Sequence, residues 1–406
     1  MRVTRRRVFY IPGFDPFHPR RYRELFRREG AAQAALSGYA LSLRKGRGPC
    51  DWIVEAEIDG ASVTTEVEVL VWSDIVAGSM RATIPATYAQ LGRTAWVYLS
   101  SGALARLMRL RKGPVIAALY PVVVLLVQAL VAVALAAGLG WASRFLLGAV
   151  LGDGVATIGA LVAAALGGWS VLRWFKARDG RLFAYYLMHD YAFTARHRGA
   201  YDPALEDRLA AFADRIAAAS AGDWDEVLVV GHSSGAHLGV SVLADLTRQG
   251  RVPEGRLSFL SLGQVVPMVS FLPEARRLRA DLALMAEQDR IPWVDVTAPG
   301  DGCAFALCDP VAVSGVAPAG ARWPLVLSAA FTRTLSSARQ AELRRRFFRL
   351  HFQYLCAFDA LPGRMDDYDY FRITAGPMRL GDRFADRAPS PSRIVAPVNR
   401  HTDIAA

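Results

Sequence analysis

Residues Trp224–Gly239 read WDEVLVVGHSSGAHLG, a short aliphatic run that stops at Gly231 and gives way within three residues to a stretch of helical character. Val227, Leu228, Val229 and Val230 follow one another without a polar interruption, the pattern of a central strand buried on both faces. Gly231, Ser233 and Gly235 then form G-x-S-x-G. Where a strand turns sharply into a helix the two backbones come close together, and small residues on either side of the serine leave room for that approach. Such a turn strains the serine backbone, lifts the hydroxyl above the strand end and aims the first N–H groups of the helix at any oxyanion formed there.

On the N-terminal side, Val8–Ile11 reads as a first strand, closed by the turn Pro12-Gly13-Phe14-Asp15-Pro16. Arg20–Leu36 has the pattern of a basic amphipathic helix. Ala40–Leu43, Asp51–Ile58 and Thr64–Trp72 alternate polar and apolar residues between turns at Gly46–Gly48 and Asp59-Gly60, which predicts hairpin strands. Asp74, just beyond, suits a helix cap or a place lining the site. On the C-terminal side come a helix to Leu246, a strand over Arg256–Leu262, a turn at Gly263–Pro267, a helix over Glu274–Glu287 and a strand at Trp293–Thr297. Asp202-Pro203 opens a further helix ahead of Trp224. This alternation predicts an α/β fold with a doubly wound, mostly parallel sheet. Loop character from Asp309 to Pro324, helical stretches to Arg345 and a last strand at Tyr368–Thr374 complete the expected elements.

Together these residues resemble the α/β-hydrolase superfamily, whose nucleophile elbow often takes the G-H-S-x-G form that His232 gives here. The resemblance is specific at the elbow, weaker at Pro12-Gly13-Phe14, and spans Arg5–Thr374 apart from the apolar segment described below. It implies Ser233 as nucleophile, with the backbone N–H groups of Phe14 and Ser234 forming the oxyanion hole. The family order of serine, acid, histidine places the acid on a loop after a later strand. Asp301 fits that place, with Asp295 and Asp309 as alternatives. His351 and His401 follow it as candidate bases. His351 is preferred because His401 lies in the tail, although its setting among Phe347, Phe352 and Tyr354 differs from the family's usual glycine-rich loop. Packing is the default role for His232 and His237, and a helix-face role for His189. The resemblance implies no metal and no organic cofactor.

The 406-residue chain is 53% hydrophobic with a formal charge of +11, a high apolar content for a soluble enzyme. Val115–Leu139 carries no charge and is long enough to cross a bilayer, and Gly154–Leu172 is a shorter apolar run rich in Ala and Gly. Arg106, Arg109, Arg111 and Lys112 precede the pair, and Arg173, Lys176, Arg178 and Arg181 follow it, which predicts a hairpin with both outer ends cytoplasmic, in an inner or plasma membrane. Four cysteines in so long a chain suggest reduced thiols rather than a disulfide framework or a zinc site. The expected organisation is residues 1–112 and 176–387 as two parts of one catalytic domain, 113–175 as a transmembrane hairpin, and 388–406 as a Pro/Ser-rich disordered tail.

These readings converge on a membrane-anchored serine hydrolase that cleaves an acyl ester, with lipid as the favoured substrate because a tethered site meets amphiphiles at high local concentration. Acyl transfer or thioester cleavage would use the same residues, and a non-catalytic membrane scaffold of the same fold is the rival class. The basic charge is assigned to the membrane surface and not to nucleic acid, since no nucleic-acid fold signature is present.

Overall fold

The structure, a computed structural model, describes residues 2–404. Its frame is one eight-stranded sheet: β1 (Arg5–Ile11), β2 (Ala40–Lys45), β3 (Asp51–Ile58), β4 (Ala61–Val69), β5 (Glu226–His232), β6 (Leu257–Leu262), β7 (Trp293–Thr297) and β8 (Leu325–Ser328). The spatial order is β2-β3-β4-β1-β5-β6-β7-β8. The β2–β3 and β3–β4 pairs are antiparallel and the other five are parallel, so the fold is α/β with a mixed, mostly parallel sheet. The aliphatic run that marks β5 is buried along its whole length between β1 and β6.

Register then sets the geometry of the site. Ile11, the last residue of β1, pairs with Gly231 of β5, so the Pro12-Gly13-Phe14 turn and the serine turn leave the same edge of the sheet side by side. At the opposite ends, Arg6 and Glu226 are register partners and form an ion pair with no solvent exposure, Arg6 Nε to Glu226 Oε2 at 2.7 Å. A buried pair is tolerable only when its remaining donors and acceptors are also bonded. Arg6 donates to the carbonyls of Gly376 and Met378, while Glu226 accepts from Ser258 Oγ and Leu380 N–H. The pair thereby ties chain far along the sequence to the base of β1, β5 and β6.

Three segments depart from expectation. Leu325–Ser328 is a strand, paired in parallel with β7, within a stretch expected to be loop and helix. Tyr370–Ala375 is a helix and not a last strand, because the Asp369 carboxylate caps the N–H groups of Phe371 and Arg372 while Tyr370, Phe371 and Ile373 enter the core. The Pro/Ser-rich stretch from Ala388 lies along the sheet-bearing part of the chain: Ser390 N–H donates to Val326, and Ile394 exchanges backbone hydrogen bonds with Leu307 and Asp309. Asn399 caps the carbonyls of Ser270 and Ser314, and Asp403 pairs with Arg279. Ala405 and Ala406 lie outside the described residues.

The chain divides into two compact units. The sheet belongs to the one formed by Met1–Gly78, Tyr98–Val115 and His197–Ala406. The other, Ser79–Val97 with Ile116–Arg196, holds most of two long helices, Lys112–Leu151 and Asp153–Ala177. Both are long and apolar enough to cross a membrane, and only 17% and 6% of their most apolar windows are buried, so the two helices are largely exposed. Small residues let the two backbones approach: a Cβ added to Gly140 would stand 3.2 Å from the Ala160 carbonyl oxygen, and one on Gly168 3.3 Å from Ala136 Cβ. This unit also has a small core of its own in which Ile84, Leu91, Leu125, Tyr185 and Met188 meet.

Candidate active site

Ser233 stands between β5 and the helix Ser234–Arg248 with φ 58° and ψ −121°, a region that non-glycine residues rarely enter. Such a conformation costs on the order of 1–3 kcal/mol and persists only where its surroundings over-determine it. The two flanking glycines show how. A Cβ on Gly231 would stand 2.5 Å from the Gly235 carbonyl oxygen, and one on Gly235 only 2.0 Å from that of Ile11. Both contacts are with backbone, so neither could be relieved by a rotamer change. The helix start is therefore clamped into the corner between β1 and β5, and Ser233 N–H is fixed by the Leu262 carbonyl at 2.9 Å. Ser234 is the first residue of the helix, so its N–H has no intrahelical acceptor.

The neighbouring turn closes the second side. A Cβ on Gly13 would lie 2.9 Å from Ser233 Cβ and 3.3 Å from Ser233 Oγ, so only glycine lets this loop reach the hydroxyl. Trp72 Nε1 donates to the Pro12 carbonyl at 2.9 Å, and the Trp72 ring meets the Phe14 ring edge-on. Asp15 accepts from Phe17 N–H and from the Tyr22 hydroxyl and pairs with Arg21, holding the far end of the turn.

The third group comes from the loop after β7. His351 Nδ1 and Asp301 Oδ2 lie 2.7 Å apart, both buried. Tyr354 donates its hydroxyl to the same carboxylate oxygen at 3.0 Å, Cys303 N–H donates to the other at 2.9 Å, and Ala298 N–H donates back to the Tyr354 oxygen. Burial pushes the Asp301 carboxyl upward, but attraction to His351 and these hydrogen bonds outweigh it and leave the group below the usual carboxylate range. A carboxylate can only accept, so the proton between the two lies on His351 Nδ1, and in the neutral ring Nε2 carries the lone pair. Among the described residues neither Nε2 nor the Ser233 hydroxyl has a hydrogen-bond partner. Their common neighbour is the end of β6. Leu262 holds the serine backbone, and a Cβ on Gly263 would stand 3.2 Å from His351 Cε1, the carbon beside Nε2.

Two residues support this pair without having been singled out for it. Tyr354 follows His351 by one helical turn, so a single short segment presents both donors to one carboxylate; an H-x-x-Y spacing near a candidate base is the sequence signal for it. His232 is buried with its ring 4.8 Å from that of His351, and its Nε2–H donates to the His351 carbonyl at 3.0 Å. Burial, with His351 adding to it, pushes the His232 pKa down to about 3, so the ring stays neutral.

The other candidates lie elsewhere. Asp295 is buried within β7 against the Ser261 hydroxyl, and burial raises its pKa to about 8. Asp309 caps the short helix Pro310–Val313, His401 turns back on Asn399, and Asp74 is paired with Arg208. His189 meets Gln90 in the helical unit. Donor atoms of Asp301, Cys303 and His351 fall within 4.8 Å of one another. The 2.7 Å Asp301–His351 separation within this group is that of a hydrogen bond. The chain matches no protein-family model, no curated protein and no solved structure.

Proposed function

We propose that the protein is a membrane-anchored serine hydrolase of the α/β-hydrolase type acting on acyl esters. The observation that carries this reading is the buried Asp301–His351 hydrogen bond, set beside the end of β6 that also anchors the strained Ser233 turn. In the proposed cycle His351 Nε2 takes the Ser233 hydroxyl proton as Oγ attacks the acyl carbonyl. Asp301 keeps Nδ1 protonated and stabilises the imidazolium that forms. The Ser234 N–H, at the start of its helix, and the Phe14 N–H, carried by the turn against Ser233, stabilise the oxyanion. The imidazolium then protonates the leaving alcohol, and a water attacks the acyl-enzyme by the same route in reverse. The two long, largely exposed apolar helices support attachment to a membrane, with the catalytic unit on the cytoplasmic side by the flanking basic residues. A lipid ester is the substrate favoured by that attachment. The test is hydrolysis of a medium-chain p-nitrophenyl ester by the purified full chain: a burst of about one equivalent of nitrophenol, absent from Ser233→Ala, fits an acyl-enzyme. Turnover that survives Ser233→Ala would sink it.

A further inference from the structure

The rim of the site carries a surface chemistry that the catalytic groups do not account for. On one side, Phe17 is 56% exposed beside the exposed Arg20 and Arg21, directly after the Pro12–Asp15 turn. On the other, the run Arg344-Arg345-Arg346-Phe347-Phe348-Arg349 leads into His351, with Phe347 63% exposed and all four arginines exposed. The two sides belong to one face, because the Arg21 guanidinium stands 5.3 Å over the Phe17 ring and 5.2 Å over that of Phe352, the residue after His351. Phe347 is also next to the acid loop, its Cδ1 3.8 Å from the place of a Cβ on Gly302.

Solvated charge alone would be an ordinary surface, and part of this charge is neutralised: Glu342 pairs with Arg346, Arg349 and Arg339, and Asp15 pairs with Arg21. Arg344, Arg345 and Arg20 have no acidic partner among the described residues. Aromatic side chains standing in water between such arginines are the composition of a surface that meets lipid headgroups, where phenyl rings enter the acyl boundary and guanidinium groups meet phosphate. The same loop also meets the basic segment that contains Arg111. Arg111 Nε donates to the Ala306 carbonyl at 2.8 Å, and a Cβ on Gly113 would stand 3.4 Å from Gly302.

We propose that the Phe17–Arg21 and Arg344–Arg349 rim docks on the anionic headgroup layer of a bilayer and so presents the Ser233 site to lipids bearing a negative headgroup. This rests on the membrane attachment proposed above and not on the catalytic assignment. The experiment is hydrogen–deuterium exchange of the full chain in nanodiscs of neutral phosphatidylcholine and in discs with about one third phosphatidylglycerol. Peptides covering residues 16–21 and 344–350 should exchange at least about three-fold more slowly in the anionic discs, revert in part in half-molar salt, and lose the difference in Arg344→Gln/Arg345→Gln/Phe347→Ser. Equal exchange in the two discs overturns the proposal. So does equal protection from a soluble polyanion such as heparin, which would make the face a general polyanion site. Labelling of Ser233 by a fluorophosphonate in detergent reports the catalytic reading separately, and extraction of the chain from vesicles by alkaline carbonate would refute the membrane spans.

Discussion

Asp301 and Asp295 belong to the same strand and the loop that follows it, yet their surroundings drive them in opposite directions. Asp301 is below its ordinary range, so it stays ionised through neutral and mildly acidic pH and its contribution to stability is lost only as pH falls through that depressed value. Asp295, raised to about 8, holds a proton that the unfolded chain releases near pH 4, so it weakens the fold progressively as pH rises across that window. Asp295→Asn keeps the acceptor for Ser261 and removes this penalty. It should therefore melt at or above the wild-type temperature at pH 7.5 and retain esterase activity. Asp301→Asn should instead lower kcat by about 10³–10⁴-fold, since it presents the wrong tautomer of His351, and should melt below the wild type at pH 7.5, since the ionised acceptor is lost. Swapped outcomes would mean that Asp295 is the acid. Tyr354→Phe removes one donor to an ionised acceptor, about 1.5–3 kcal/mol, so kcat should fall ten-fold or somewhat more with little change in KM. A change confined to stability would make Tyr354 a packing residue only.

At the scale of elements, the strand and helix around Ser233 are legible in sequence because a continuous aliphatic run and two glycines leave few alternatives, and the turn needs those glycines for contacts with backbone. Gly235→Ala, placed 2.0 Å from a carbonyl of β1, should abolish folded protein or Ser233 reactivity, whereas Gly300→Ala, with nothing within 4 Å, should be silent in the same assays. What sequence patterning misses has identifiable causes. Tyr370–Ala375 is aromatic and β-branched enough to suggest a strand, but a capping carboxylate and burial of one helical face override that local preference. Leu325–Ser328 is too short to announce itself, and its place in the sheet is set by pairing with β7. The tail has a composition associated with disorder, while its contacts are backbone hydrogen bonds to distant loops, which composition does not encode. His351 is legible as a candidate, but its link to Asp301 spans fifty positions and depends on the β7 loop being folded.

For the molecule as a whole, two histidines make the sheet unit sensitive to acid. His232 and His237 are both held near pKa 3 by burial, while in the unfolded chain they take up protons near pH 6.5. The folded state therefore loses stability as pH falls from about 6.5 toward 3, and the melting temperature in detergent should drop steeply between pH 6 and 4. His237→Gln should flatten that slope; an unchanged slope would mean the burial is relieved in solution. The hairpin reading predicts that a reporter near Gly148 is reached only from outside the cell and one near Lys176 only from inside. Both on one side would leave the two apolar helices without a transmembrane role. The catalytic claim has the most direct test of all, fluorophosphonate labelling of the purified full chain read by peptide mass. A single adduct is expected on the peptide containing Ser233, absent from Ser233→Ala and strongly slowed in His351→Gln. A folded wild-type chain that takes no label, or labels as fast without His351, would contradict it.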